Sequence, residues 1–155
     1  MSDLFPVLRV LGVLLCMFAL AMGLPLAVSL GHDDGVWQAY PLAMLVALGA
    51  GASLSWGLRR YKRELQPRHG VILVTLVWVL LPLCAALPLW LALQWVDRPV
   101  TFTHAYFEAV SGLTTTGSTV LSGVDALPLS VNVWRTFLQW LGGMGILILA
   151  VAVLP

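Results

Sequence analysis

Four apolar stretches dominate this chain: roughly Pro6–Leu30, Trp37–Leu58, Val71–Val96 and Val131–Pro155. Each has about the 20 residues that a helix needs to cross about 30 Å of hydrocarbon. A chain with four such runs has few folds open to it. In lipid every backbone polar group must be satisfied within the protein, which leaves helices and closed barrels. Runs this long predict helices. Composition agrees, with a hydrophobic share of 60% and a charged share of 10%, against about 25% charged in globular proteins. The first run follows Arg9 but is too long for a signal peptide, and no small-x-small cleavage site follows it before the polar turn. It is read as the first span.

The charges set an orientation. Gly31-His32-Asp33-Asp34-Gly35 forms a short polar turn after the first run. The loop from Arg59 to Gly70 holds five of the eight basic residues (Arg59, Arg60, Lys62, Arg63 and Arg68). The positive-inside rule places that loop in the cytoplasm, with the amino terminus on the same side. Everything from Asp97 to about Asn132 then begins and ends outside. The net charge of +1 carries no sign of a polyanionic partner, and no nucleic acid is expected. Trp37, Trp90, Trp95, Trp134 and Trp140 lie near span ends, suited either to an interfacial belt or to packing.

The segment between the third and fourth runs is too apolar for a free external loop. His104–Leu113 has helical character over only ten residues, near 15 Å, half a bilayer. Pro99 and Thr103 suit its start, with Thr103 as N-cap. Thr114-Thr115-Thr116-Gly117-Ser118 follows. The simplest path is a re-entrant helix descending from outside, then a strand climbing back. Irregular backbone at membrane depth is tolerated only where it is buried in protein or lines a watery cavity. A filter for a dehydrated alkali cation needs such backbone, since carbonyl oxygens replace the ion's water. The negative carboxyl end of the short helix also favours a cation, and Gly117 opens angles closed to other residues. The plainer reading is a Thr/Gly turn between helices.

Glu108 and Arg135 are ionisable groups at membrane depth, where charges are usually partnered. A structural pair is expected, with Glu108 facing an outer vestibule as the rival. Reversing both charges should then restore folding lost in either single variant. Gly142-Gly143-Met144-Gly145 suits close helix packing or a hinge. Cys16 and Cys84 fall inside apolar runs, and His32, His69 and His104 share no metal spacing. No GxSxG or HExxH motif is present, and no cluster of ionisable groups inside the spans suits acid–base work. The chain is not expected to be an enzyme.

Three blocks carry a resemblance: Phe107-Glu-Ala-Val-Ser-Gly-Leu-Thr-Thr-Thr-Gly-Ser-Thr119, Leu127-Pro128, and Gln139-Trp-Leu-Gly-Gly-Met-Gly-Ile146 running on to Pro155. On these the chain resembles the amino-terminal part of TrkH-type potassium uptake proteins, in the Trk/Ktr/HKT superfamily of cation transporters. The resemblance implies an all-α membrane protein. Residues 1–70 would be two leading transmembrane helices and a basic cytoplasmic loop. Residues 71–155 would be the first of four helix–pore loop–helix repeats around one pore. Thr114, Thr115, Thr116 and Gly117 would form one quarter of a K+ filter, supported by Glu108, Arg135, Gly142, Gly143 and Gly145. It further implies a bacterial inner-membrane location, a homodimer of the complete transporter and a cytoplasmic nucleotide-binding regulator of the TrkA kind. One repeat cannot surround an ion. The chain is therefore expected to be part of a longer transporter or a truncated product, with a non-conducting assembly unit as the alternative.

Overall fold

The computed structural model describes residues 4–59, 67–98 and 100–153. Among these, all regular structure is helical: α1 (Phe5–Ala21), α2 (Gly23–His32), α3 (Ala39–Gly57), α4 (Pro67–Trp95), α5 (Phe102–Leu113), a 3-10 turn (Val124–Ala126) and α6 (Leu129–Val153). Three stretches are long and apolar enough to cross a membrane, Phe5–His32, Ala39–Gly57 and His69–Trp95. The fourth run forms α6, 25 residues long. Most of the basic loop that set the orientation, Arg60 to Gln66, lies outside the described residues, as does Pro99.

The first apolar run is expected to be one helix and is interrupted at Met22. Pro25 has no N–H to give the Ala21 carbonyl, so the regular ladder fails there. Met22 N reaches back to Ala19 O at 3.2 Å, and Leu26 N resumes on Met22 O at 3.2 Å. Met22 keeps right-handed helical angles, so α1 and α2 together still form a stretch of 28 residues. In α4, Pro82 and Pro88 sit inside a continuous helix of 29 residues. Such prolines are tolerated in membrane helices, where neighbouring elements re-satisfy freed backbone groups.

α1 lies against α3 and α4, while α5 is held between α4 and α6. The α1–α3 crossing is close because both partners are glycine. A Cβ at Gly12 would stand 2.7 Å from Gly51 O, and one at Gly51 would stand 2.6 Å from Gly12 O. Small residues let membrane helices approach in this way. The core runs from Phe18, Met22 and Tyr40 through Ala85, Leu89 and Leu93 to Leu113, Trp134 and Leu138. Trp134 therefore leaves the interfacial set. It is fully buried and donates Nε1–H to the Ala85 carbonyl at 3.1 Å, whereas Trp37, Trp95 and Trp140 are exposed.

The short helix begins earlier than expected. Its N-cap is Thr101, not Thr103: Thr101 is extended, and its hydroxyl accepts from His104 N at 3.3 Å. Phe102 is drawn into the first turn by an edge-on contact with Trp90, centroids 5.9 Å apart. The twelve residues of α5 rise about 18 Å.

At α6 the cap comes from the far end of the chain. Asp34, in the turn after α2, accepts from Ser130 N at 3.0 Å and from Val36 N at 3.4 Å, and the Ser29 hydroxyl donates to it as well. Burial pushes the Asp34 carboxyl up, but the hydrogen bonds from Ser130, Ser29 and Val36 outweigh it and hold the carboxyl below its ordinary range. A carboxylate there satisfies an orphan N–H and meets the positive end of the helix dipole.

Candidate functional site

The turn after α5 is built as a helix cap. Thr114 N donates to Val110 O at 2.8 Å, Thr115 N to Gly112 O at 2.9 Å and Thr116 N to Ser111 O at 2.9 Å. The last two bonds, with Thr115 left-handed at φ 57°, make the Schellman arrangement that commonly ends helices. Glycine usually fills that position. A β-branched residue there is an outlier, and holding it costs about 1–2 kcal/mol. Strain of this kind gathers at functional sites. The expected strand therefore starts later than Thr114, because Thr114 and Thr115 form the cap.

The cap fixes where the polar groups point. The N–H groups of Thr114, Thr115, Thr116 and Gly117 all turn back toward α5, Gly117 N reaching Ser111 O at 3.4 Å. Among the described residues no hydrogen bond ends on the carbonyls of these four residues. The Thr114 hydroxyl donates to Val110 O at 2.8 Å and lies 2.7 Å from the Thr116 hydroxyl, so it helps to hold the turn. Gly117 has φ 75°, and a side chain there would be strained. Residues 115–120 are exposed in this chain.

Beyond Gly117 the chain runs back along α5. The Ser111 hydroxyl donates to Ser118 O at 2.6 Å. Glu108 Oε1 accepts from the Thr119 hydroxyl at 2.6 Å and from Val120 N at 2.7 Å. Glu108 Oε2 accepts from Arg135 Nε at 3.0 Å. The structure thus joins Glu108 to Arg135 and places the carboxylate in the interior, with its side chain 2% exposed, rather than facing a vestibule. Arg135 also reaches Asn132 Oδ1 at 3.4 Å, and Asn132 donates to Val124 O at 2.9 Å. Farther out, Arg98 donates to Ser122 O at 3.0 Å and Gly123 O at 3.2 Å.

The glycines of α6 divide. A Cβ at Gly142 would sit 1.9 Å from Leu113 O, so this glycine exists to let α6 pass the end of α5. At Gly143 the nearest atom would be Thr115 Cγ2 at 3.8 Å, an ordinary contact, and at Gly145 nothing lies within 4 Å. Sequence reasoning singled out Glu108, Arg135 and Gly142 but missed Ser111 and Thr119. Ser111 had a signal, since it lies three residues after Glu108 on one helix face. Thr119 had none, because its partner is eleven residues away across a turn.

Comparison with known proteins bears on the chain as a whole. A sequence model of the TrkH family, described as "Cation transport protein", matches residues 38–155. The Trk system potassium uptake protein TrkH of Halomonas elongata is 46% identical over 149 residues, covering 96% of this chain and 30% of that protein. Its namesake in Escherichia coli K12 is 43% identical over 148 residues, covering 95% and 30%. The crystal structure of the potassium transporter TrkH from Vibrio parahaemolyticus superposes with a TM-score of 0.88 at 40% identity, over 97% of this chain and 32% of that one. The chain thus spans about 30% of the length of the curated relatives it matches. With its helix order, its half-length α5 and these matches, this all-α membrane chain belongs to the TrkH family of cation transport proteins.

Proposed function

We propose that this chain serves potassium uptake across the bacterial inner membrane, supplying one quarter of the selectivity filter in a pore of four helix–pore loop–helix repeats. The observation that carries the reading is the row of four carbonyls, Thr114 to Gly117, with no hydrogen bond to any of them among the described residues. Three of the four, Thr115 to Gly117, lie on residues exposed in this chain and are open to a ligand from outside it. Carbonyls held without partners at membrane depth suit an ion that has shed its water. In this reading residues 1–70 are the leading pair of helices with their cytoplasmic loop, and residues 71–155 are the first repeat. The amino terminus is cytoplasmic, α5 enters from outside, and its negative end points toward the membrane centre. Potassium is the cargo, and three further repeats complete the ring. The complete transporter is a homodimer that works with a TrkA-like cytoplasmic regulator. The names of the relatives, potassium uptake proteins, favour potassium over other cations.

The test is Gly117→Leu in the complete transporter, expressed in cells that lack other potassium uptake. Growth at low potassium should fail, and discrimination against sodium should fall. Unchanged growth and discrimination would sink the filter and favour a non-conducting assembly unit.

A further inference from the structure

Ser111 and Glu108 do more than anchor a loop. We propose that they are positioning residues that end the row of ion-facing carbonyls at Gly117. The proposal rests on the reading of Thr114–Gly117 as a filter. Ser111 grips the chain on both sides of the Gly117 carbonyl. Its own backbone oxygen accepts from Thr116 N and Gly117 N, and its hydroxyl donates to Ser118 O at 2.6 Å. The Ser118 carbonyl is thereby turned toward α5 and leaves the row. One turn farther up the same face, Glu108 takes the Thr119 hydroxyl and the Val120 N–H on one oxygen and Arg135 on the other. The carboxylate acts as an acceptor for the chain, not as an ion ligand. Its charge is balanced by Arg135, and both its oxygens are occupied.

The consequence is chemical. Cation selectivity in a carbonyl filter depends on the number of oxygens, their field strength and how firmly they are held. Loss of the Ser111 hydroxyl frees the Ser118 carbonyl and adds a loosely held fifth oxygen. Loss of the Thr119 hydroxyl leaves Val120 N as the single tie between the chain and Glu108. Either change loosens the outer end of the filter without altering its four carbonyls.

The experiment compares potassium and sodium flux in proteoliposomes of the complete transporter, normalised to folded protein. The variants are Ser111→Ala, Thr119→Val, Thr119→Ser and Gly117→Ala. Ser111→Ala and Thr119→Val should each lower the potassium-over-sodium flux ratio by about tenfold, the scale of one lost hydrogen bond to a buried partner. Thr119→Ser keeps the hydroxyl and should restore the ratio to within about twofold of the parent. A ratio that falls in Gly117→Ala but stays parental in Ser111→Ala and Thr119→Val overturns the clamp and leaves the filter standing. A parental ratio in Gly117→Ala removes the filter reading and the clamp with it. Should Ser111→Ala fail to fold, the exposed Thr119 site decides alone, and equal damage from Val and Ser at 119 also overturns the clamp.

Discussion

Gly142→Ala is the most severe single-methyl test that this fold offers. The added Cβ would stand 1.9 Å from Leu113 O, 2.6 Å from its carbonyl carbon and 2.9 Å from its Cα. Ordinary contact begins near 3.4 Å, so α5 and α6 must separate by about 1.5 Å (3.4 minus 1.9). The obstacle is backbone, so no rotamer change relieves it. Overpacking of this kind costs about 3 kcal/mol at the upper end of its usual range. Replacing glycine by alanine inside a helix returns about 1 kcal/mol, leaving a net loss of about 2 kcal/mol. A chain of this size loses about 2–4 °C of melting temperature per kcal/mol, so the midpoint of the detergent-solubilised chain should fall by about 4–8 °C. The internal control is Gly145→Ala, where nothing lies within 4 Å and the helix gain stands unopposed. The midpoints can be read by size-exclusion chromatography after heating. A Gly142→Ala midpoint equal to that of Gly145→Ala would refute the claim that Gly142 is there for backbone approach.

Two further perturbations follow from the hydrogen-bond pattern. Asp34 binds its proton more weakly in the folded chain than at its ordinary value of 3.8, so its contribution is whole above about pH 4 and is lost as pH falls through the lower, folded value. Asp34→Ala should cost about 1 kcal/mol at neutral pH as a lost helix cap and flatten the acid limb of the stability curve, and an unchanged acid limb would refute this. The second is the double reversal Glu108→Arg with Arg135→Glu, which sequence reasoning expects to restore folding. The structure predicts otherwise, because a guanidinium on α5 in place of the Glu108 carboxylate would meet the Thr119 O–H and Val120 N–H with no acceptor to offer. The double variant should stay about 1–3 kcal/mol below the parent, and full recovery in a thermal melt would show that those two bonds carry no weight.

The parts of this fold legible in the sequence were those that depend on local composition. Span positions follow from the length of apolar runs, since hydrocarbon thickness sets the minimum, and the half-length α5 follows from the same measure. Thr114–Gly117 stood out because small hydroxyl residues and glycine are out of place between two spans. The break at Met22 was readable in principle from Pro25, but Pro82 and Pro88 in α4 carry the same signal and leave that helix continuous. Proline alone does not say which freed carbonyl finds a partner. The N-cap was misplaced by two residues because the choice between Thr101 and Thr103 turns on Phe102 packing against Trp90, a contact between different helices.

The sequence by itself determined the class of molecule and the approximate positions of its apolar spans, and it marked Thr114–Gly117 as out of place between two of them. These depend on free energies of transfer that add along a segment. Only the tertiary structure decided which groups tie the helices and the returning chain together. Asp34 caps a helix 96 residues away, Trp134 turns inward to Ala85, Ser111 ties down the Ser118 carbonyl, and Glu108 accepts from the Thr119 hydroxyl and the Val120 N–H. Each of these is a directional hydrogen bond between separate elements. Direction is settled when the helices pack, and no apolar run encodes it.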